Sequence, residues 1–191
     1  DAKLLETAKK ANVGGPRYNN FYFIKHTAGR LYTVGGVFAS GGTQKGYPGL
    51  VQVLEANGSW TFYQDSLYAT TGIAFNDINC LAVDPLDPNH VFIGGRPGLY
   101  EFQDGRFKTL YNSDNSPLLS AVDRGVELGN NYVIVNAVDF DAQGNLWLAN
   151  SQTRSQSLLT LPRGKKMESR HQERLMADGL SLRNMTKMLV D

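Results

Sequence analysis

The tetrad Leu81-Ala82-Val83-Asp84 returns as Val138-Asp139-Phe140-Asp141 and again as Met188-Leu189-Val190-Asp191. The first two copies lead through a short polar turn into an apolar run, His90-Val91-Phe92-Ile93-Gly94-Gly95 and Asn145-Leu146-Trp147-Leu148-Ala149. A unit that recurs with its turn chemistry intact marks a sheet repeat, each copy burying its faces against its neighbours. The third copy stops after its first strand, so the chain is expected to be a segment of a longer array.

The middle copy defines the unit. Residues 78–84 read as a strand closed by the turn-rich Pro85-Leu86-Asp87-Pro88-Asn89. Val91, Phe92 and Ile93 form a continuous apolar run ended by Gly94-Gly95, as in a strand buried on both faces. Gly98-Leu99-Tyr100-Glu101-Phe102 alternates, Asp104-Gly105 supplies a hairpin turn, and Arg106-Phe107-Lys108-Thr109-Leu110-Tyr111 alternates again. This is a four-stranded antiparallel meander.

The earlier copy repeats it. Phe21-Tyr22-Phe23-Ile24-Lys25 leads through Ala28-Gly29-Arg30 to Leu31-Tyr32-Thr33-Val34-Gly35-Gly36. After an inserted loop, Gly49-Leu50-Val51-Gln52-Val53-Leu54 reaches Asn57-Gly58, which predicts a type I′ turn, and then Trp60-Thr61-Phe62-Tyr63. Leu31, Val91 and Leu146 recur at intervals of roughly 55–60 residues, a spacing that suits propeller blades.

The predicted fold class is therefore all-β, a partial β-propeller of four-stranded antiparallel blades. About three blades (near 19–63, 76–111 and 132–161), a short helical insertion near the C-terminus at 162–183 and a stub strand at 185–191 make one incomplete domain over residues 1–191. A two-sheet sandwich is the rival, but it does not require the turn-strand-Gly-Gly grammar to recur in register. Propellers close with about four to eight blades. The exposed terminal blade faces and edges are thus expected to meet further blades or, in a homo-oligomer, a second copy.

The third unit departs from the pattern. Ser157-Leu158-Leu159-Thr160-Leu161 fits a third strand, Pro162 ends it, and no fourth strand is expected. Residues 163–176 are polar and helix-compatible, with Met167, His171 and Leu175 at i, i+4 and i+8. Arg163, Lys165, Lys166, Arg170 and Arg174 against Glu168 and Glu173 make this stretch locally basic. It reads as a solvated rim helix or as a docking patch for an acidic surface or an anionic glycan. Lys3-Leu4-Leu5-Glu6-Thr7-Ala8-Lys9-Lys10 fits either a short helix or the outer strand of a missing blade.

The residue inventory argues against chemistry. His26, His90 and His171 have no metal-ligand spacing, and the single Cys80 excludes an internal disulfide and adds little to any zinc site. Apolar neighbours make Cys80 an inert buried thiol, and His90, opening an apolar strand, reads as a hydrogen-bonded structural residue. Asp84, Asp87 and Asp141 lack the ligand density of a calcium cage. Nucleophile elbow, phosphate loop and dinucleotide fingerprint are all missing. A non-enzyme with no cofactor and no metal is expected. A net charge of +1 steers the chain toward neither nucleic acid nor an anionic membrane, and no apolar run approaches a membrane span. No signal peptide is present, and since Asp1 cannot be a native initiator, any leader is expected to have been cleaved or to lie outside this sequence. Asn57-Gly58-Ser59 fits a glycosylation sequon, which the hairpin explains on its own.

Val83, Val91, Ile93, Leu99, Leu146 and Trp147 occupy the repeated apolar positions and are expected in the core, as is Trp60. The candidate contact residues lie where the repeat is interrupted. They are Lys45 and Tyr47, in the insertion Ala39-Ser40-Gly41-Gly42-Thr43-Gln44-Lys45-Gly46-Tyr47, and Lys165, Lys166 and Arg170 in the basic stretch.

With the units laid out, a resemblance emerges. Gly14-Gly15-Pro16-Arg17-Tyr18-Asn19-Asn20, the strand ending Gly35-Gly36, Tyr47-Pro48-Gly49-Leu50 and Trp60-Thr61-Phe62-Tyr63 resemble the first propeller of the PorZ-like proteins of the Bacteroidetes type IX secretion system. Asn79-Cys80-Leu81-Ala82-Val83-Asp84-Pro85, Tyr111-Asn112-Ser113-Asp114-Asn115-Ser116-Pro117-Leu118 and Leu159-Thr160-Leu161-Pro162 continue it. Gly144-Asn145-Leu146-Trp147-Leu148 is also similar to the two-component-regulator propeller repeat of periplasmic sensors in hybrid histidine kinases. The first resemblance implies an exported, non-enzymatic protein at the bacterial cell surface or in the periplasm. It would assist secretion and cargo attachment, with a protein partner and anionic lipopolysaccharide as ligands. The second implies a periplasmic ligand sensor.

Overall fold

Alternation within the middle unit sends successive side chains into two different cores, and this organises the whole molecule. The structure is a computed structural model that describes residues 14–36, 45–181, 185 and 187–191. Strands β1 (Phe23–Thr27), β2 (Arg30–Val34), β3 (Val51–Leu54) and β4 (Trp60–Phe62) form the first four-stranded sheet. A single helical turn, α1 (Tyr68–Thr71), leads to the second sheet: β5 (Ile78–Asp84), β6 (Asp87–Gly95), β7 (Gly98–Gln103) and β8 (Arg106–Tyr111). A small hairpin, β9 (Val122–Asp123) with β10 (Val126–Glu127), precedes the third: β11 (Ile134–Phe140), β12 (Leu146–Ser151), β13 (Leu158–Leu161) and β14 (Glu168–Ser169). A 3₁₀ turn (Glu173–Leu175) and the hairpin β15 (Met176–Ala177) with β16 (Leu180–Ser181) follow.

In all three sheets the spatial order is the chain order and neighbouring strands are antiparallel. The first strand of the middle sheet, β5, packs on β1 to one side and on β11 to the other. The result is a set of meanders that resemble successive propeller blades, with no closed barrel among the described residues. The sandwich alternative is excluded by three separate four-stranded sheets.

From the middle sheet, Leu81, Val83, Val91, Ile93, Tyr100 and Phe102 join Tyr32, Val34, Val51 and Val53 of the first sheet in one core. The alternate residues Cys80, Ala82, Phe92 and Leu99 join Val135, Val138, Leu146, Leu148 and Leu159 of the third sheet in another. Each fully buried Val or Leu contributes about 1.5–3 kcal/mol. The expected core residues Val83, Val91, Ile93, Leu99 and Leu146 are all buried.

The Gly-Gly ends are explained by the distance between sheets. A Cβ on Gly94 would lie 2.6 Å from the carbonyl oxygen of Val135 on β11, and one on Gly36 would lie 2.3 Å from that of Ile78 on β5. One glycine of each pair lets a sheet approach the first strand of the next.

The recurring Asp has an equally local cause. The Asp84 carboxylate accepts the Leu86 amide at 2.9 Å, and that of Asp141 accepts the Asn145 amide at 2.8 Å, so each closes the turn after its strand. Trp147 departs from expectation: it is half-buried, its indole N–H donating to Asp141 at 3.1 Å rather than the ring filling the core. Trp60 is likewise half-buried, stacked on Phe21 with centroids 6.2 Å apart.

Two other expectations are corrected, and a third is narrowed. Asn57 keeps negative φ while Gly58 has φ 83°, because Leu54 pairs with Trp60 and leaves residues 55–59 as a longer, bulged loop rather than a two-residue type I′ turn. The third sheet does have a fourth strand, the polar pair Glu168–Ser169 on Thr160 and Leu159. The short helical insertion expected near the C-terminus is present as the 3₁₀ turn Glu173–Leu175, while the rest of 163–176 is not helical, since the residues spaced by four serve different neighbours. Met167 enters the second core, and His171 turns to Ser157, its Nδ1 3.1 Å from the hydroxyl.

The final residues lie along β11 without a ladder of their own. Asn136 donates its side-chain amide to the Met185 carbonyl, and the Val190 amide donates to Asp139 at 3.1 Å. The stretch 3–10 and residues 39–44 of the insertion lie outside the described residues.

Candidate functional site

Between the second and third sheets, at the end where β5 and β11 finish, lies a cavity of about 430 Å³. Its walls differ in character because they come from different elements. The third sheet and its loop contribute Phe140, Leu146, Leu161 and Pro162. The second sheet contributes Phe92 together with Asp84, His90, Glu101 and Tyr111. Phe92 and Phe140 meet edge to face with centroids 5.8 Å apart, closing the apolar end. Arg163, Gly164 and Lys165, in the loop that leaves β13, line it beside them.

The polar residues form one chain of contacts. His90 sits between two carboxylates, Nδ1 3.1 Å from Asp84 Oδ2 and Nε2 2.9 Å from Glu101 Oε1. The Tyr111 hydroxyl donates to Glu101 Oε2 at 2.7 Å, and the Arg163 guanidinium donates to both oxygens of Asp84. The contact with Glu101 raises the His90 pKa, burial opposes it, and Asp84 reinforces the rise. Burial pushes the Glu101 carboxyl up, yet the hydrogen bonds from His90 and Tyr111 outweigh it and hold the group below its ordinary range. Burial and the Glu101 carboxylate push the Tyr111 phenol up. An imidazolium shared by two carboxylates is the species this geometry favours.

That arrangement is a poor general base, since the imidazole has no free nitrogen to offer. The carboxylates flank opposite sides of the ring instead of converging on one point. Among the described residues no group of three or more His, Cys, Asp or Glu side chains could hold a metal ion. Cys80 is buried with its thiol pushed up to about 12 by desolvation, as expected of an inert core residue.

The candidate contact residues fall at two ends of the molecule. Lys165 lines the cavity, and Lys166 follows it on the same exposed loop. Arg170 is exposed and pairs with Glu168 at 2.7 Å, which neutralises part of the basic stretch. Lys45 and Tyr47 are exposed at the opposite end of β5. There the Asp77 carboxylate accepts the Gly46 and Tyr47 amides at 2.9 and 3.0 Å. A seven-residue strand separates the two regions, roughly 20 Å.

Sequence reading missed Asp84, Glu101, Tyr111 and Arg163 as one cluster. Part of the signal was there. Ala82 and Asp84, His90 and Phe92, and Leu99 and Glu101 alternate on their strands and therefore share the face that meets the third sheet. Arg163 gave no such signal, because its partner lies 79 residues away.

No protein-family model matches the chain, and no curated protein does. Among the described residues no helix is long and apolar enough to cross a membrane. A luciferin-regenerating enzyme is matched at 16% identity and a TM-score of 0.45, over 77% of this chain and 45% of that one, too distant to carry an argument. The structure of PorZ, a bacterial surface component of the type-IX secretion system of Porphyromonas gingivalis, is matched with a TM-score of 0.69 at 26% identity over 81% of this chain. The chain spans 20% of that protein's length, and its structural similarity to PorZ is at the level of a distant relative.

Proposed function

We propose that this chain is part of an exported, non-catalytic recognition propeller that serves type IX secretion at the bacterial surface, where it contacts a protein partner and anionic lipopolysaccharide. The observation that supports this reading is the match to PorZ over most of the chain. The fully engaged His90 suits it, since a catalytic imidazole needs a free nitrogen. The exposed loop bearing Lys165 and Lys166, continued by Arg170, is the surface offered to an anionic glycan.

Reversing Lys165, Lys166 and Arg170 to Glu tests it. Binding of purified anionic lipopolysaccharide to the full-length protein is expected to weaken by about tenfold or more, since three attractive contacts become repulsive. The melting temperature stays nearly unchanged, because exposed charges contribute little stability. Undiminished binding contradicts the assigned surface. A histidine kinase downstream in the same polypeptide, after a membrane span, contradicts the secretion role and favours the sensor.

A further inference from the structure

We propose that the cavity between the second and third sheets binds a small amphiphilic monoanion, a carboxylate or sulfonate carried on an aromatic or apolar body. Its volume of about 430 Å³ falls within the roughly 300–1,000 Å³ of small-molecule sites. It also has the mixed lining such sites use. Phe92, Phe140, Leu146, Leu161 and Pro162 offer an apolar bed to the body of a ligand.

The sign of the ligand follows from which polar atoms are already spent. Asp84 accepts from Arg163, His90 and the Leu86 amide, and the two oxygens of Glu101 accept from His90 and Tyr111. A cationic ligand would find these carboxylates committed. Lys165 faces the same cavity and pairs with no carboxylate among the described residues. With His90 protonated, the lining carries three cations against two carboxylates, an excess of one positive charge. An anionic head at Lys165 completes that balance while the apolar body lies between Phe92 and Leu161.

This site adjoins the surface assigned to lipopolysaccharide and shares Lys165 with it, but Lys166 and Arg170 belong to that surface alone, since neither lines the cavity. Titration calorimetry on the full-length protein with 2-naphthoate, and with the neutral 2-naphthalenemethanol of the same shape, reads the proposal. One saturable site for 2-naphthoate is expected, with the alcohol about tenfold weaker. Lys165→Glu, an exposed position, weakens 2-naphthoate by about tenfold or more, while Lys166→Glu changes it by less than about twofold. Leu161→Trp, at a half-buried wall position, fills the space and abolishes binding; a thermal melt confirms that each variant is folded. Absence of saturable binding below about 1 mM, equal affinity for the alcohol, or equal effects of the two lysine reversals overturns it. Loss of lipopolysaccharide binding in Lys166→Glu with 2-naphthoate binding intact separates the two sites.

Discussion

Arg163, in the loop that leaves β13, places its guanidinium on both carboxylate oxygens of Asp84, 79 residues earlier at the end of β5. The Asp84 side chain is 2% exposed and the Arg163 side chain 45% exposed, so a buried anion is reached by a cation that stays half in water. This pair ties the third sheet to the second beside the cavity. Arg163→Met leaves Asp84 with His90 as its remaining cationic partner. A loss of about 1–3 kcal/mol in urea unfolding is expected, below the figure for a fully buried pair because Arg163 is half in water. Asp84→Asn combined with Arg163→Met should cost less than the sum of the two single changes, as a coupled pair requires.

His90 gives the protein a signed dependence on pH. Its folded pKa stands above the ordinary 6.5. The stability it contributes is therefore fully present below 6.5, and it is lost as pH rises through the folded value. Glu101 has the opposite sign: held below its ordinary 4.5, it contributes above that value and loses the contribution as pH falls through the folded one. Urea midpoints across this range should show wild type losing its advantage over His90→Gln as pH climbs past 6.5. A constant difference between the two proteins would show that folding leaves the ring's pKa unshifted.

Gly94 marks the closest approach of the second sheet to the third, and its replacement should be costly out of proportion to its size. In Gly94→Ala the new methyl meets the Val135 backbone carbonyl at 2.6 Å and the sulfur of the fully packed Cys80 at 2.5 Å. A destabilisation of about 3 kcal/mol is expected. Gly46→Ala, where φ is +68° and nothing lies within 4 Å, should cost about 1 kcal/mol from backbone strain alone. Equal costs at the two positions would remove the close-packing explanation of the Gly-Gly ends.

The parts of the fold that were legible in sequence are those fixed by local periodicity. Residues 78–111 alternate or run apolar with turns between them, and the structure builds β5 to β8 there. Elements set by tertiary contacts were not legible. Glu168–Ser169 has neither alternation nor apolar character, and it is a strand because β13 offers an edge. Met167, His171 and Leu175 mimic a helix because residues spaced by four happen to serve a core, a serine and a turn. Trp147 looked like core by position, yet the Asp141 that closes the preceding turn offers its indole a partner at 3.1 Å and holds it half exposed. In the cavity, strand alternation could assign Asp84, His90 and Glu101 to one face, while Arg163 belongs with them only once the sheets are packed.

We propose, as the central reading, that these three sheets are consecutive blades of a larger propeller in which residues 188–191, the third copy of the repeated tetrad, start the next blade. Leu189 is 83% exposed here, at the position that Ala82 and Asp139 occupy in the earlier copies. Thiol labelling of Leu189→Cys in the full-length protein, followed at that peptide by mass spectrometry, tests this directly, and Cys80 is too buried to compete. The claim predicts protection of the introduced thiol under native conditions and rapid labelling only on unfolding. Labelling at the rate of a free thiol in the native protein would contradict it.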